Sequence, residues 1–266
     1  MKEAWNKVNL NKEELEHLYY NEKLTQKQIG ERFGVSKPVI GRNMRKYGIT
    51  KDKQLLKYRE TDKQRDLLVG SVLGDGTFMT DGENYRASFR QSESQKDYLI
   101  FKFNQLKEFC KKQTVGISAG NKNSFANAEL IYYFHTRSLP LFNRYKNMSV
   151  TDAIVQLNYN SFIIWMMDDG SLYSRNHPKG YSPYYTLSVN RFDDKQVEVM
   201  SKTLLERFGL RHTIKKRERT KASSGKSYSY GSVYFPTSET AKISSIFKKS
   251  SFYTEVKKAM TYKILD

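Results

Sequence analysis

The chain has 266 residues, which is enough for one large domain or two smaller ones with hydrophobic cores of their own. Lys and Arg number 46 against 28 Asp and Glu, and the formal net charge of +18 favours a polyanionic partner such as nucleic acid. The 14% aromatic content argues against an unfolded chain, and no apolar run approaches the ~20 residues of a membrane helix, so we expect no membrane partner.

The number of cysteines and the N-terminal sequence indicate in which cellular compartment the protein is expected. Cys110 is the single cysteine, which excludes an intrachain disulfide, and it lies in an apolar helical pattern that predicts a core position. The N-terminal sequence has no signal-peptide pattern. We therefore expect an intracellular, cytoplasmic protein.

Residues 1–50 predict a small all-α helix-turn-helix unit. Thr25 is suited to cap a first helix and Gly34 to form a left-handed turn. Ser36 would cap a second helix that carries Pro38 in its first turn. The second helix would bury its apolar positions, which are Val39, Ile40 and Met44. Its polar face would enter the DNA major groove through Lys37, Arg42, Asn43, Arg45 and Lys46. An ordinary pair of packed helices is the alternative interpretation.

Residues 51–60 are polar and are interpreted as a linker, and beyond them the chain repeats itself weakly. Residues 61–150 and 151–266 each predict the order helix, strands, helix, strands, helix. In the first copy we expect helices at 62–73, about 95–111 and around 138–145, strands at 76–80 and 85–91, and a hairpin region at 116–134. In the second we expect helices at 159–167, 194–208 and 238–248, a strand at 184–190 and a hairpin at 212–235. Neither copy can cover its sheet alone, so the two are expected to pack together across a pseudo-two-fold axis.

Each copy opens with an apolar helix that stops at an acid followed by glycine. Asp75-Gly76 ends the first helix and Asp169-Gly170 the second, 94 positions later. Gly70, Ser71 and Gly74 leave one helix face nearly bare, so the two helix backbones can approach closely. Two carboxylates brought side by side in this way are costly unless a divalent cation lies between them. The pattern therefore predicts a metal-dependent enzyme that acts on nucleic acid.

These motifs resemble those of the LAGLIDADG homing endonucleases in their single-chain form, over residues 62–266. Asp75 and Asp169 match the last acidic position of each motif. The first motif departs from the pattern at Leu73, and the second resembles the Trp-x-Met-Asp-Asp-Gly variant, which makes Asp168 an auxiliary acid. The resemblance implies an α+β fold, with a pseudo-two-fold pair of αββαββα subdomains, saddle-shaped antiparallel sheets and the appended helix-turn-helix.

The same resemblance implies Mg²⁺-dependent cleavage of both strands of double-stranded DNA at a long site, leaving 3′ overhangs. Two or three divalent ions would be shared at the motif interface by Asp75, Asp169, Gly74 and Asp168. Lys146 and Lys263, each in a Tyr-Lys pair near the end of its copy, match the catalytic lysines of monomeric relatives. Water around the metals would be held by Gln91, Ser92 and Asn190.

Alternating strands and basic hairpins are expected to read the DNA. The residues predicted to contact it there are Arg86, Arg90, Lys122, Asn190, Lys215, Lys216, Arg217 and Arg219.

Two alternatives from other classes stay open. One is an intron maturase that binds its own intron RNA on the same fold, and the other is a transcriptional regulator that uses the N-terminal unit. Intact Asp75 and Asp169 favour the nuclease, and the helix-turn-helix favours duplex DNA because A-form RNA hides its major groove. Two motif copies in one chain make a monomer sufficient.

Overall fold

The computed structural model describes residues 11–49, 57–80, 83–119, 130–177, 180–220 and 227–265. The chain divides into two units, Met1–Arg59 with Leu139–Leu141, and Glu60–Ser138 with Phe142–Asp266. Within the described ranges, none of the helices combines the length and apolarity needed to pass through a bilayer.

The first unit is helical. Its elements are α1 (Lys12–Glu16), which continues as a π-helical turn (His17–Asn21), α2 (Gln26–Arg32) and α3 (Lys37–Lys46). As predicted, Thr25 caps α2 in a reciprocal capping box with Gln28, and Gly34 adopts the left-handed turn with φ of 64°. Ser36 is the N-cap residue of α3, as predicted, although its side chain makes no capping hydrogen bond, and Pro38 lies in the first turn with its preset φ. Val39, Ile40 and Met44 are buried.

The first half of the second unit follows the predicted order. Its elements are α4 (Asp62–Leu73), β1 (Thr77–Thr80), β2 (Tyr85–Ser92), α5 (Lys96–Leu106), β3 (Gly116–Ala119), β4 (Leu130–His135), α6 (Asn143–Asn147) and α7 (Val150–Val155). Helix α4 begins at a capping box between Thr61 and Gln64, and its bounds are those predicted. Helix α7 was not predicted.

The second half repeats this arrangement. Its elements are α8 (Tyr159–Asp169), β5 (Gly170–His177), β6 (Gly180–Ser188), α9 (Asp194–Glu206), β7 (Thr213–Thr220), β8 (Ser227–Phe235), α10 (Thr237–Lys248) and α11 (Tyr253–Ala259). Strand β5 and helix α11 were not predicted, and β6 begins four residues earlier than expected.

The two halves carry antiparallel sheets of the same topology, in the orders β1-β2-β4-β3 and β5-β6-β8-β7. Their registers also correspond, because Thr77 pairs with Ser88 in one sheet and Ser171 pairs with Thr186 in the other. On the inner face of the first sheet the rings of Phe89 and Phe134 stack with centroids 4.9 Å apart. The repeated order confirms the predicted fold class of paired α+β halves.

Candidate active site

Helices α4 and α8 pack directly against each other, as the bare face of α4 predicted. A Cβ added at Gly70 would lie 2.5 Å from the carbonyl oxygen of Ser161 and 2.7 Å from Cβ of Ile164. A Cβ at Gly74 would overlap the side chain of Asp168. Only glycine therefore allows this helix separation, and the contact brings the ends of both motifs together.

Asp75 follows the C-terminus of α4 and Asp169 is the last residue of α8, so each stands where the first strand of its half begins. Asp75 accepts a hydrogen bond of 3.0 Å at Oδ2 from Nε2 of Gln91. Burial raises the pKa of Asp75, and the charge of Asp168 raises it further. The pKa of Asp169 is raised to about 7, mainly by burial and then by the negative charges of Asp168 and Asp75. We call Asp75, Asp168 and Asp169 the acid cluster, in which burial and the neighbouring negative charge disfavour the ionised forms of Asp75 and Asp169.

Asp168 has partners that the sequence did not suggest. Its side chain is fully buried, and its two oxygens lie 2.6 and 2.9 Å from Nζ of Lys102, which is also fully buried. The hydroxyl of Tyr98 donates to Oδ1 at 2.8 Å, and the backbone N–H of Asp75 donates to Oδ2 at 3.0 Å. Asp168 therefore fixes the backbone at Asp75, and the ammonium of Lys102 compensates the charge of Asp168.

Of the two lysines predicted from the sequence, the structure brings one to the acid cluster. Lys263 is 8% exposed, and its ammonium donates to the carbonyl of Met167 at 2.6 Å. Burial lowers the pKa of Lys263, while the charges of all three acids raise it. Lys146 is exposed on α6, and among the described residues the cations that lower the pKa of Asp75 are Lys102 and Lys263.

Arg191 also belongs to the site and was missed by the sequence reasoning. Its guanidinium donates to the last carbonyls of α4, at 2.5 Å to Val72 and also to Leu73. The charge of Arg191 lowers the pKa of Asp169. A cation therefore contacts the C-terminal carbonyls of each motif helix, Arg191 at α4 and Lys263 at α8. This contact is favourable because the C-terminus is the negative end of the helix dipole. No local pattern marks Arg191, whereas Lys102 interrupts an apolar run of α5 and could have been noticed.

A groove opens along the outer face of each sheet, with one acid at its end. The first groove is lined by residues that include Asp75, Thr77, Ser88, Arg90, Gln91 and Ser92. The second groove is lined by residues that include Asp169, Ser171, Tyr184, Thr186, Asn190 and Lys215. Arg90, Asn190 and Lys215 therefore lie in grooves, and so do Gln91 and Ser92.

Other predicted DNA contacts have different positions. Lys216 is on the opposite side of β7 from Lys215 and pairs with Asp194 of α9, so it does not line the second groove. Arg86 lies at the start of β2, outside the first groove. Lys122 lies outside the described residues. Arg217 and Arg219 are in β7, where their backbones pair with those of Tyr230 and Tyr228.

The predicted recognition helix, α3, presents most of its polar residues to solvent. The exposed ones are Lys37, Arg42, Arg45 and Lys46. Asn43 is half-buried, and its amide donates to the carbonyl of Val39 at 3.0 Å. That donor is therefore already used within the helix.

The sequence matches the model of the LAGLIDADG DNA endonuclease family over residues 65–243. Among solved structures, the fold is similar to that of the homing endonuclease I-WcaI bound to its DNA recognition sequence. The TM-score is 0.60 at 19% identity, with 79% of this chain and 89% of that chain covered. The LAGLIDADG homing endonuclease I-GzeII in complex with its DNA target matches with a TM-score of 0.38 at 10% identity, covering 76% of this chain and 84% of its own. The LAGLIDADG meganuclease I-AabMI bound to uncleaved DNA matches with a TM-score of 0.38 at 14% identity, covering 76% and 90%. No curated protein matches the chain.

Proposed function

The chain belongs to the LAGLIDADG DNA endonuclease family, and we propose that it is a site-specific homing endonuclease that hydrolyses both strands of a long double-stranded DNA site and leaves 3′ overhangs. One observation carries this proposal. The contact of α4 with α8 joins Asp75 and Asp169 in one acid cluster, and each of the two also lines a groove along a sheet. One acid per strand and one sheet per half-site follow from that duplication. Because a single chain supplies both halves, we propose that it acts as a monomer.

The acid cluster fits Mg²⁺ as its cofactor. Carboxylate oxygens are the ligands that Mg²⁺ prefers, and the raised pKa values of Asp75 and Asp169 reflect repulsion and burial that a divalent cation would offset. Within the described residues no set of three or more His, Cys, Asp or Glu side chains is placed to enclose a metal. We propose two carboxylates, those of Asp75 and Asp169, with the backbone of Gly74 as protein ligands, and leave out Asp168 because Lys102 occupies its oxygens. When bound, two or three such cations would supply an activated water and stabilise the leaving oxygen.

The remaining side chains of the site hold Asp75 in place or supply positive charge near the two acids. Gln91 fixes the carboxylate of Asp75 by its hydrogen bond, and Asp168 holds the backbone of the same residue. The buried ammonium of Lys263 lies within electrostatic reach of Asp75 and Asp169, so we propose that it stabilises negative charge that develops on the scissile phosphate. A catalytic role for Lys146 remains a prediction from the sequence.

Two substitutions test the assignment. Asp75→Asn and Asp169→Asn keep the shape of each side chain but remove the negative charge that would hold the cation. In Mg²⁺ and with a duplex selected from a random pool for binding to the protein, each variant should lose double-strand cleavage while its dissociation constant stays near that of the unmodified protein. Asp62→Asn is the matched control, because Asp62 is an exposed acid at the opposite end of α4. Full cleavage by either site variant, or no cleavage by the unmodified protein, would overturn the proposal.

A further inference from the structure

A pocket separate from the two grooves lies at the outer end of the first sheet, away from the acid cluster. It is formed by the start of β2, the end of β4 and the segment between α5 and β3. Its lining includes four permanent cations and the polar side chains of a histidine and a serine, namely Arg86, Lys111, Lys112, Arg137, His135 and Ser138. None of the described lining residues carries a carboxylate, so the pocket concentrates positive charge. We call it the outer pocket.

Three neighbouring side chains of the outer pocket have a buried polar atom without a hydrogen-bond partner. They are Nδ1 of His135, Nε of Arg137 and Oγ of Ser138. Buried polar atoms in folded proteins nearly always have partners. Three unsatisfied atoms within four residues, around a cationic pocket, indicate that a ligand with several acceptor oxygens completes the set.

The walls of the outer pocket are fixed by backbone hydrogen bonds. The N–H of Arg137 donates to the carbonyl of Phe109 at 2.7 Å, and the N–H of Thr136 donates to the carbonyl of Ala87 at 3.0 Å. The hydroxyl of Thr136 accepts from the N–H of Ala87 at 2.9 Å. Because the backbone of the pocket is held in this way, it loses little conformational entropy when an anion binds.

We propose that the outer pocket binds a phosphate group, and specifically a backbone phosphate of the DNA that the first groove receives. Register places the pocket on the same sheet face as that groove, because His135 pairs with Ser88 and Tyr133 pairs with Arg90. Arg86 pairs with Met79, which is four residues beyond Asp75. At ~3.3 Å per residue the pocket lies ~13 Å along the strand from the acid, which is about four nucleotide steps of a DNA strand. This source of the phosphate rests on the proposed function.

Among the described residues of the second half, the positions that correspond to two of the pocket's polar side chains carry tyrosines. The matching registers of the two sheets place Tyr184 and Tyr234 where the first half has Arg86 and His135. Their rings lie 5.1 Å apart. The phosphate contact is therefore specific to one half-site, and it gives the chain a preferred orientation on its target.

The anion itself is tested with sulfate, which keeps its charge over the pH range of interest. Sulfate added to the full-length protein should shift the imidazole NMR signal of His135, identified with a His135→Gln variant, and Arg137→Gln should weaken this binding about tenfold. Burial and the charges of Arg86, Arg90 and Lys112 lower the pKa of His135. A bound anion offsets those charges, so sulfate should move the His135 titration to higher pH. An unchanged His135 signal would overturn the site.

Salt-dependent binding of a random-sequence duplex tests the source of the phosphate. Arg137→Gln and Lys112→Gln should each reduce the slope of log K against log salt by about one. Lys202→Gln, an exposed lysine on α9, is the matched control and should leave the slope unchanged. If sulfate binds but both pocket variants keep the original slope, the pocket takes a free anion and the DNA assignment is wrong. Neither measurement requires cleavage, so both remain valid if the nuclease assignment fails.

Discussion

The buried pair of Lys102 and Asp168 shows how one charge can organise the site. Removing both groups from water is costly, and only close hydrogen bonds make the arrangement tolerable. Here the ammonium reaches both carboxylate oxygens, and it also lies 4.7 Å from the ring centroid of Tyr98 and 5.3 Å from that of Phe89. Since Asp168 also binds the N–H of Asp75, this pair fixes the position of the acid that starts β1.

Lys102→Met should therefore destabilise the protein strongly. The substitution keeps a long apolar stem but leaves the buried carboxylate of Asp168 without its cation, and we expect a loss of about 3–5 kcal/mol in the free energy of unfolding. Urea unfolding measures this loss. The double variant Lys102→Met with Asp168→Asn should recover most of it, because no unpaired charge remains.

The control for this prediction is Lys107→Met, at an exposed position just beyond α5. It should change the stability by less than about 0.5 kcal/mol. Equal effects of Lys102→Met and Lys107→Met would show that the buried pair is not formed in solution.

Glu239 gives a prediction about pH. Its carboxylate is buried at the start of α10 and accepts 2.9 Å bonds from Nε of Arg211 and Nζ of Lys242. Burial raises its pKa, but the hydrogen bonds from Lys242 and Arg211 outweigh burial and hold it below the ordinary value of 4.5. The stabilisation is therefore present above pH 4.5 and disappears as the pH falls through the lowered pKa.

Glu239→Gln should accordingly be less stable than the unmodified protein at pH 7, with the difference shrinking below pH 4.5. Thermal unfolding across this range measures the difference. A difference that stays constant from pH 7 to pH 3 would contradict the assignment of the stabilisation to the ionised carboxylate.

At the scale of elements, the separation of α4 and α8 decides whether the acids meet. Gly70→Ala adds a methyl group 2.5 Å from the carbonyl oxygen of Ser161, which is backbone and cannot rotate away. We expect a loss of about 1–3 kcal/mol in unfolding free energy, even though alanine favours helices more than glycine does. Cleavage should fall as well, because the helices separate, whereas the binding face of each sheet is untouched.

Gly41→Ala in α3 is the matched control, because the added Cβ would lie 3.4 Å from the flexible side chain of Gln26. There the higher helix propensity of alanine should leave the stability unchanged or slightly raised. Wild-type stability and cleavage in Gly70→Ala would mean that the helices are not in contact as described.

Elements with a local signal were predictable, and elements that depend on tertiary partners were not. The apolar run of α4 predicted its bounds, and the two acid-glycine endings identified Asp75 and Asp169. Strand β5 is largely polar and takes its extended form from pairing with β6, so its sequence resembled a loop. The short helix α7 likewise lacks the length that makes periodicity visible.

The same distinction holds within the site. Lys102 and Asp168 are 66 positions apart, and Arg191 meets the end of α4 from 118 positions away, so only the fold joins them. Lys263 was found through its family context and is buried beside the acid cluster, whereas Lys146 is exposed on α6 and its role stays a prediction.

For the whole molecule, duplication of the fold comes with different chemistry in the two halves. The first sheet adds the cationic outer pocket to its groove, while the second presents stacked tyrosines, with the rings of Tyr173 and Tyr184 5.2 Å apart. Lys215 lies 4.0 Å from the ring centroid of Tyr234 in the same face. A protein with two equal halves would favour a palindromic site, so this asymmetry argues for an asymmetric target.

The N-terminal unit should lengthen that target. Its hydrophobic cluster includes Leu15, Ile29 and Ile40, so α3 has a packed support of its own from which Arg42 and Arg45 project into solvent. Two binding units on one chain raise each other's effective concentration on DNA. Arg42→Gln combined with Arg45→Gln should therefore weaken binding, shorten the DNase I footprint at one end and lower the salt slope by about two.

Cleavage of already bound duplex should keep its rate in this double variant, because the acid cluster is unchanged. Lys27→Gln serves as the control, since Lys27 is an exposed cation of α2, within the same unit but outside the proposed recognition helix. A footprint of unchanged length in the double variant would remove the DNA-binding role of α3 and leave target recognition to the two sheets. A slower cleavage step at saturating protein would instead mean that the N-terminal unit contributes to the chemistry as well as to binding.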